Sequence, residues 1–166
     1  MEDLTQQLDG ALTQTINLLN SMSEDAMNQV PFTGSWTAAQ VARHLYKSQK
    51  GTDAMMLQPA GEAGRDPGER IENYREILTN YEHKMESPGF LVPENETYDK
   101  DKLINALTIV KNEILPVIGT ANLNELAPIG DETPLKGSTK LEIAYFLLYH
   151  TIRHNRQIEK IKELLN

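Results

Sequence analysis

The sequence predicts an all-α protein, a helical bundle, on three observations. Five segments repeat apolar residues at three- and four-residue intervals, the period of one buried helix face. β-branched and aromatic residues alternate with polar ones over no long run, so strand signals are nearly absent. Two short stretches, Thr37-Ala38-Ala39-Gln40 and Thr139-Lys140-Leu141-Glu142, have the form of capping boxes and mark helix starts.

The first helix spans 3 to about 22, with Leu4, Leu8, Ala11, Thr15, Leu18 and Met22 on one face and Gln, Asn and Thr on the others. The turn cluster Pro31-Phe32-Thr33-Gly34 follows it. The second helix opens at Thr37, with Trp36 before the cap as a hydrophobic staple. It runs to about 57 and ends in Pro59-Ala60-Gly61. Residues 58–68, rich in Gly, Pro and Ala, read as a loop. The third helix carries Ile71, Tyr74, Leu78, Tyr81 and Met85 and is stopped by Ser87-Pro88-Gly89. Residues 90–98, apolar and then acidic around Pro93, read as an ordered loop.

The fourth helix begins near Asp99 and shows Leu103, Leu107, Val110, Ile114 and Val117, with Pro116 kinking or ending it. A second polar loop, 119–137, holds Pro128, Gly130 and Pro134. The fifth helix starts at the Thr139 box and runs toward the C-terminus. Four of these helices are expected to make the core of the bundle. Composition leaves open whether the remaining one is a short extra turn or a full member.

At 166 residues, the chain reads as one domain over 1–166, large enough to bury a core without staples. With 16 Lys and Arg against 24 Asp and Glu, the formal charge of −8 argues against nucleic acid or anionic lipid as a partner. There is no cysteine, which excludes a disulfide framework and a thiolate metal site. A transition metal would have to sit on imidazole, carboxylate or water. No apolar run approaches the roughly 20 residues that a membrane span needs. The start, Met-Glu-Asp-Leu-Thr, is unlike a signal peptide, and the expectation is a soluble cytoplasmic protein.

The chemistry concentrates in the last helix. Ile143, Leu147, His150, His154, Ile158, Ile161 and Leu165 form a single helical stripe, and two of its members are histidines. Imidazole is a poor core filler, because each ring carries a donor and an acceptor that must find partners. At i and i+4 the two Cβ atoms are roughly 6 Å apart, so both rings can face one ion. Two imidazoles hold a metal weakly, which calls for a third. His83 lies off the apolar stripe of its helix and reads as a solvated surface histidine. His44 shares a face with Val41, Ser48, Thr52 and Met55 among small neighbours. Taken alone it reads as a hydrogen-bonded core histidine; beside a buried pair the reading shifts to a three-histidine site.

The stretch Ser35-Trp36-Thr37-Ala38-Ala39-Gln40-Val41-Ala42-Arg43-His44-Leu45, with His150-Thr151-Ile152-Arg153-His154-Asn155-Arg156-Gln157 near the C-terminus, resembles the DinB/YfiT-like superfamily. The resemblance covers the whole chain in helix order. It implies an up-down-down-up four-helix bundle with one histidine on the second helix and an H-x-x-x-H pair on the last. It also implies a divalent metal, nickel or zinc among members, held here by His44, His150 and His154. Characterised members include thiol transferases that use small thiols such as bacillithiol or mycothiol, hydrolases and an isomerase, and dimers are common among them. The family name refers to a damage-inducible protein and implies no DNA binding.

Three neutral imidazoles leave coordination positions open, the pattern of a catalytic site. A metal so held lowers the pKa of a water or activates a thiolate, and polarises a substrate oxygen. Zinc, nickel, iron and manganese are all candidates, and affinity order does not choose among them. The pair reads H-T-I-R-H, without the glutamate base of H-E-x-x-H proteases. No residue is assigned as catalytic: Glu142, Tyr145 and Asp53 are candidates for a base, each more often an ordinary surface charge or packed ring. Gln157 follows His154 by three and can orient a ligand or a water. Arg153 and Arg156 are expected to face solvent or pair with acids of the first two helices, and Trp36 to anchor packing.

The expected function is therefore a metal-dependent thiol (S-)transferase or hydrolase acting on a small molecule, with an external low-molecular-weight thiol as one co-substrate. The enzyme reading expects a pocket beside the metal lined by Met55 or similar residues. The alternative is a non-catalytic module that holds metal and a small ligand or dimerises as a homodimer; a bundle with three satisfied histidines and no metal is the third.

Overall fold

The structure, a computed structural model, describes residues 3–166, and within them regular structure is helical. The helices are α1 (Leu4–Asn20), α2 (Glu24–Met27), α3 (Ala38–Gln49), α4 (Thr52–Leu57), α5 (Ile71–Thr79), α6 (Lys100–Ile118) and α7 (Lys140–Leu165), with a 3₁₀ turn at Gly89–Leu91. Both capping boxes form. The Thr37 hydroxyl accepts from Gln40 N–H at 3.1 Å while the Gln40 side chain accepts from Thr37 N–H at 3.0 Å. Thr139 and Glu142 repeat the exchange at 3.1 and 2.9 Å. Asp99 caps α6 by accepting from Lys102 N–H at 2.9 Å.

Packing closes four helices into a ring: α1 lies on α6, α6 on α3, α3 on α7, and α7 on α1. α5 leans on the outside of α7, which makes it the member that the stripes left unassigned. Two apolar clusters fill the bundle. One gathers Leu4, Leu8, Leu12, Ile114, Ile143 and Leu147; the other gathers Leu18, Leu19, Val41, Leu107, Ile158 and Ile161. Fully buried members such as Leu8, Leu19 and Ile158 each contribute about 1.5–3 kcal/mol by leaving water. Along α7 the first cluster ends at Leu148 and the second resumes at Ile158. Between them lie the buried polar residues His150, Thr151 and Asn155. The core is thus divided by a polar layer.

That layer is largely paired, as buried polar groups must be. Thr15 donates to Asn155 Oδ1 at 2.6 Å, and Asn155 Nδ2 donates to the Ala11 carbonyl at 2.8 Å, joining α1 to α7. Gln49 Nε2 donates to Thr151 Oγ1 at 3.2 Å, joining α3 to α7.

Two local expectations are corrected. The second expected helix does not run unbroken to 57. It stops at Gln49, and Gly51, at φ +83°, turns the chain before α4 begins; the left-handed conformation suits glycine and breaks the helix there. The third ends at Thr79, not near Ser87, so Tyr81 and Met85 are not on it. The cause lies on α7: Arg153 Nη1 donates to the carbonyls of Leu78 and Asn80 at 3.1 and 2.9 Å, and Nη2 donates to that of His83 at 2.5 Å. A guanidinium that captures three carbonyls offers the chain an alternative to continuing the helix. Pro116 sits inside the last turn of α6, which ends at Ile118 with Gly119 as its cap. The polar loop 119–137 is also tied down, through isolated antiparallel bridges Glu62↔Glu125 and Leu126↔Thr139. No helix among the described residues is long and apolar enough to cross a membrane.

Candidate metal centre

α7 carries His150 and His154 one turn apart on its inward face, and α3 brings His44 against them from across the bundle. The three rings turn their Nε2 atoms to one point. His150 Nε2 lies 3.1 Å from His44 Nε2 and 3.1 Å from His154 Nε2. Nitrogens about 2.0–2.1 Å from one ion lie roughly 2.9 Å apart at right angles and roughly 3.4 Å apart at the tetrahedral angle. Both spacings about His150 fall between the two, and the three donors lie within 4.8 Å of one another, an arrangement that suits a divalent metal such as zinc.

The outward nitrogens set which lone pairs are free. His44 Nδ1 lies 3.0 Å from the Leu91 carbonyl and 3.4 Å from Ser87 Oγ. A carbonyl only accepts, so Nδ1 carries the proton and Nε2 presents its lone pair inward. His154 Nδ1 donates in the same way to Gln157 Oε1 at 2.8 Å. His150 is held by stacking: its ring lies on Phe146 with centroids 5.5 Å apart and planes 14° apart. Its Nδ1 is buried without a partner. Trp36 packs against His44 at a centroid distance of 5.4 Å, a wall of the site as well as a packing anchor.

Electrostatics favour neutral rings. Burial, reinforced by the Lys47 charge, lowers the pKa of His44, although its bond to Leu91 opposes the shift. Burial and the neighbouring rings take His150 well below 6.5. Burial brings His154 to about 3, with His44 and Arg153 adding to the effect against Gln157. A neutral imidazole is the form that ligates a metal.

A strap from 87 to 94 covers the His44 side and is fastened to α3. Arg43 Nε donates to Glu94 Oε2 at 2.9 Å, and Lys47 Nζ donates to the Val92 carbonyl at 2.8 Å and to Glu94 Oε1 at 3.1 Å. Tyr98 Oη donates to the Glu94 carbonyl at 2.8 Å. Arg43, followed by Lys47, holds the Glu94 carboxyl far below the usual carboxylate range.

His44, His150 and His154 come together, and His83 is exposed at the surface. Gln157 bonds the His154 ring, as its spacing three residues on allows. The other candidates are placed elsewhere. Glu142 is a structural carboxylate: its oxygens accept from Arg65 Nη1 and Nη2 at 2.7 Å each and from Arg70 N–H at 2.8 Å. Tyr145 packs against the first apolar cluster, as does Met55, so Met55 belongs to that core and not to the wall expected beside the metal. Asp53 lies on α4, beyond the break at Gly51. Arg153 caps α5, while Arg156 is exposed, one of its two expected placements, and lies over the Tyr81 ring, 4.3 Å from its centroid. Two grooves, one between α1 and α7 beside Tyr81 and one around Gly119 and Tyr145, include none of the three histidines.

Sequence reasoning missed the strap, because its decisive atom is the Leu91 backbone carbonyl, which no side chain announces. Phe146 was findable, since it precedes His150 by four on the same helix.

The family model of the DinB superfamily matches residues 7–158. The uncharacterized protein YuaE of Bacillus subtilis (strain 168) is 23% identical over 154 residues, covering 92% of this chain and 93% of its own. No solved structure matches the chain.

Proposed function

Since the chain belongs to the DinB superfamily, we propose that it is a metal-dependent enzyme whose ion is held by His44, His150 and His154 through Nε2. Its reaction is thiol (S-)transfer or hydrolysis of a small molecule. The single observation that carries the reading is the convergence of three Nε2 atoms, at 3.1 Å from the central ring, with the opposite nitrogens of His44 and His154 bonded outward. Three protein ligands leave room for a further one, and a bound metal would supply Lewis acidity there. Zinc and nickel, the metals implied by the family resemblance, lead the candidates; imidazole suits iron as well and manganese less. The residues around the ions' place do the orienting: Leu91 and Gln157 hold two rings in one tautomer, and Phe146 holds the third flat.

One observation favours the non-catalytic module as a second reading. His44 is 3% exposed and His150 9%, so two of the three rings are almost closed off from solvent.

Metal analysis of protein purified without a histidine tag tests the site. Stoichiometric metal that is lost when His44, His150 and His154 are each replaced by alanine is the expected result; its absence, or its persistence in those variants, refutes the assignment. The metal-loaded protein, offered an electrophile with a panel of small thiols or with water alone, then separates transfer, hydrolysis and mere binding.

A further inference from the structure

We infer that Glu94 is a positioning residue for the metal centre, acting through the strap that fixes the tautomer and orientation of His44. The inference rests on the metal reading above.

The His44 ring is set by one backbone acceptor, the Leu91 carbonyl. That carbonyl belongs to a 3₁₀ turn, Gly89–Leu91, in a stretch flanked by Pro88 and Pro93 and bearing the exposed Phe90. Pro93 is buried and Leu91 half-buried, but Phe90, Val92 and Glu94 are exposed, so polar anchors carry much of the fastening to α3. Three of them, from Gln40, Arg43 and Lys47, come from α3, and Tyr98 adds a fourth from just before α6. Arg43 binds the carboxylate through Nε at 2.9 Å and Nη2 at 3.4 Å, and Lys47 binds it at 3.1 Å while also holding the Val92 carbonyl. Gln40 Nε2 donates to the Glu94 carbonyl at 3.4 Å. Tyr98 Oη reaches both that carbonyl and, at 3.2 Å, the carboxylate. Arg43, His44 and Lys47 stand on one helix, so the same α3 that carries the ligand also carries the clasp that orients it.

The magnitudes say what such a clasp is for. The Glu94 side chain is 42% exposed and Arg43 31%, and ion pairs that wet are worth about 0–1 kcal/mol to stability. Losing an outer partner of a ligating histidine, by contrast, typically weakens a metal site about 10–100-fold. Glu94 therefore matters little to folding and much to His44.

The test compares wild-type protein with Glu94→Ala and Glu94→Gln, using long-range proton–nitrogen spectra of the histidine rings in metal-free protein and titration with Co(II). Helix content and melting temperature serve as controls. The wild type is expected to show His44 as the Nδ1–H tautomer. Glu94→Ala is expected to mix the tautomers and weaken Co(II) binding at least about tenfold at an unchanged melting temperature, with Glu94→Gln in between. Should Glu94→Ala fold poorly, the Arg43→Ala/Lys47→Ala double variant removes the same clasp from the helix side. Wild-type nitrogen shifts and Co(II) affinity in Glu94→Ala overturn the inference. A wild-type protein that binds no Co(II) overturns the metal reading instead, and the nitrogen shifts then decide for or against the clasp by themselves.

Discussion

Gln157 Oε1 lies 2.8 Å from Nδ1 of His154, one turn further along α7, so a single helix supplies both a candidate ligand and the acceptor that fixes its tautomer. The i, i+3 spacing places the two side chains on the same face. Leu91 does for His44 from a loop what Gln157 does for His154 from the helix itself. The two differ in rigidity: a neighbour on the same helix needs no strap.

Replacing Gln157 with alanine is therefore expected to lower metal affinity by about 10–100-fold while the metal-free protein melts as before. Competition against a chromophoric chelator measures the first quantity and calorimetry the second. Affinity equal to that of the wild type would show that His154 needs no partner.

The buried bridge between α1 and α7 should behave differently, since it serves the fold. Asn155 occupies the Thr15 hydroxyl and the Ala11 carbonyl. Asn155→Ala removes one partner each from the Thr15 hydroxyl and the Ala11 carbonyl, which still pair with each other at 3.3 Å, so the loss is expected at the low end of about 1–3 kcal/mol. In a double-mutant cycle with Thr15→Val, the combined loss is expected to be smaller than the sum, because the orphaned group is removed with its partner. Chemical denaturation of the four proteins checks this, and strictly additive losses would count against the bridge.

Much of this was legible beforehand, and the reasons are physical. Both capping boxes, the helical stripes and the His150–His154 pair depend on spacing within a helix, which sequence records directly; His44 joins them from another helix and was reached through that pair and the family resemblance. The ends of the second and third expected helices were misread for different reasons. Arg153 ends α5 from 70-odd positions away, and the periodic spacing of Tyr81 and Met85 simply continued past the true end. Gly51 was visible, yet a glycine inside an apolar pattern does not declare whether it will adopt a positive φ. The strap over His44 was illegible for a third reason, its key acceptor being backbone.

Acid should loosen the start of α7. Glu142 is 0% exposed. Burial pushes its pKa up, but Arg65 and the Thr139 and Arg70 N–H groups together hold it below the ordinary value of 4.5. A carboxyl depressed in the folded state stabilises fully above its unfolded pKa, and that contribution fades as pH falls below about 4.5 toward the folded value. Glu142→Gln is expected to be less stable than wild type at neutral pH and to lose less stability on acidification. Melting temperatures from pH 7 to pH 3 test it; parallel curves for the two proteins would refute it.

Gly51 offers the cleanest separation of backbone from packing. Its φ is +83°, and a Cβ built there meets nothing within 4 Å. No clash opposes a substitution, so the cost of Gly51→Ala is the left-handed backbone itself, about 1–2 kcal/mol. Asparagine tolerates that conformation better than alanine, so Gly51→Asn is expected to fall between glycine and alanine in stability. The break stands almost two turns beyond His44, and the residues that hold His44 are Leu91 and those of the strap, so metal affinity should stay within about twofold in both variants, well short of the change expected for a lost partner of a ligating histidine. Urea denaturation ranks the three proteins, and chelator competition reads the metal. Equal stability of alanine and glycine would mean that α3 and α4 can join into one continuous helix, as the apolar spacing from 37 to 57 first suggested.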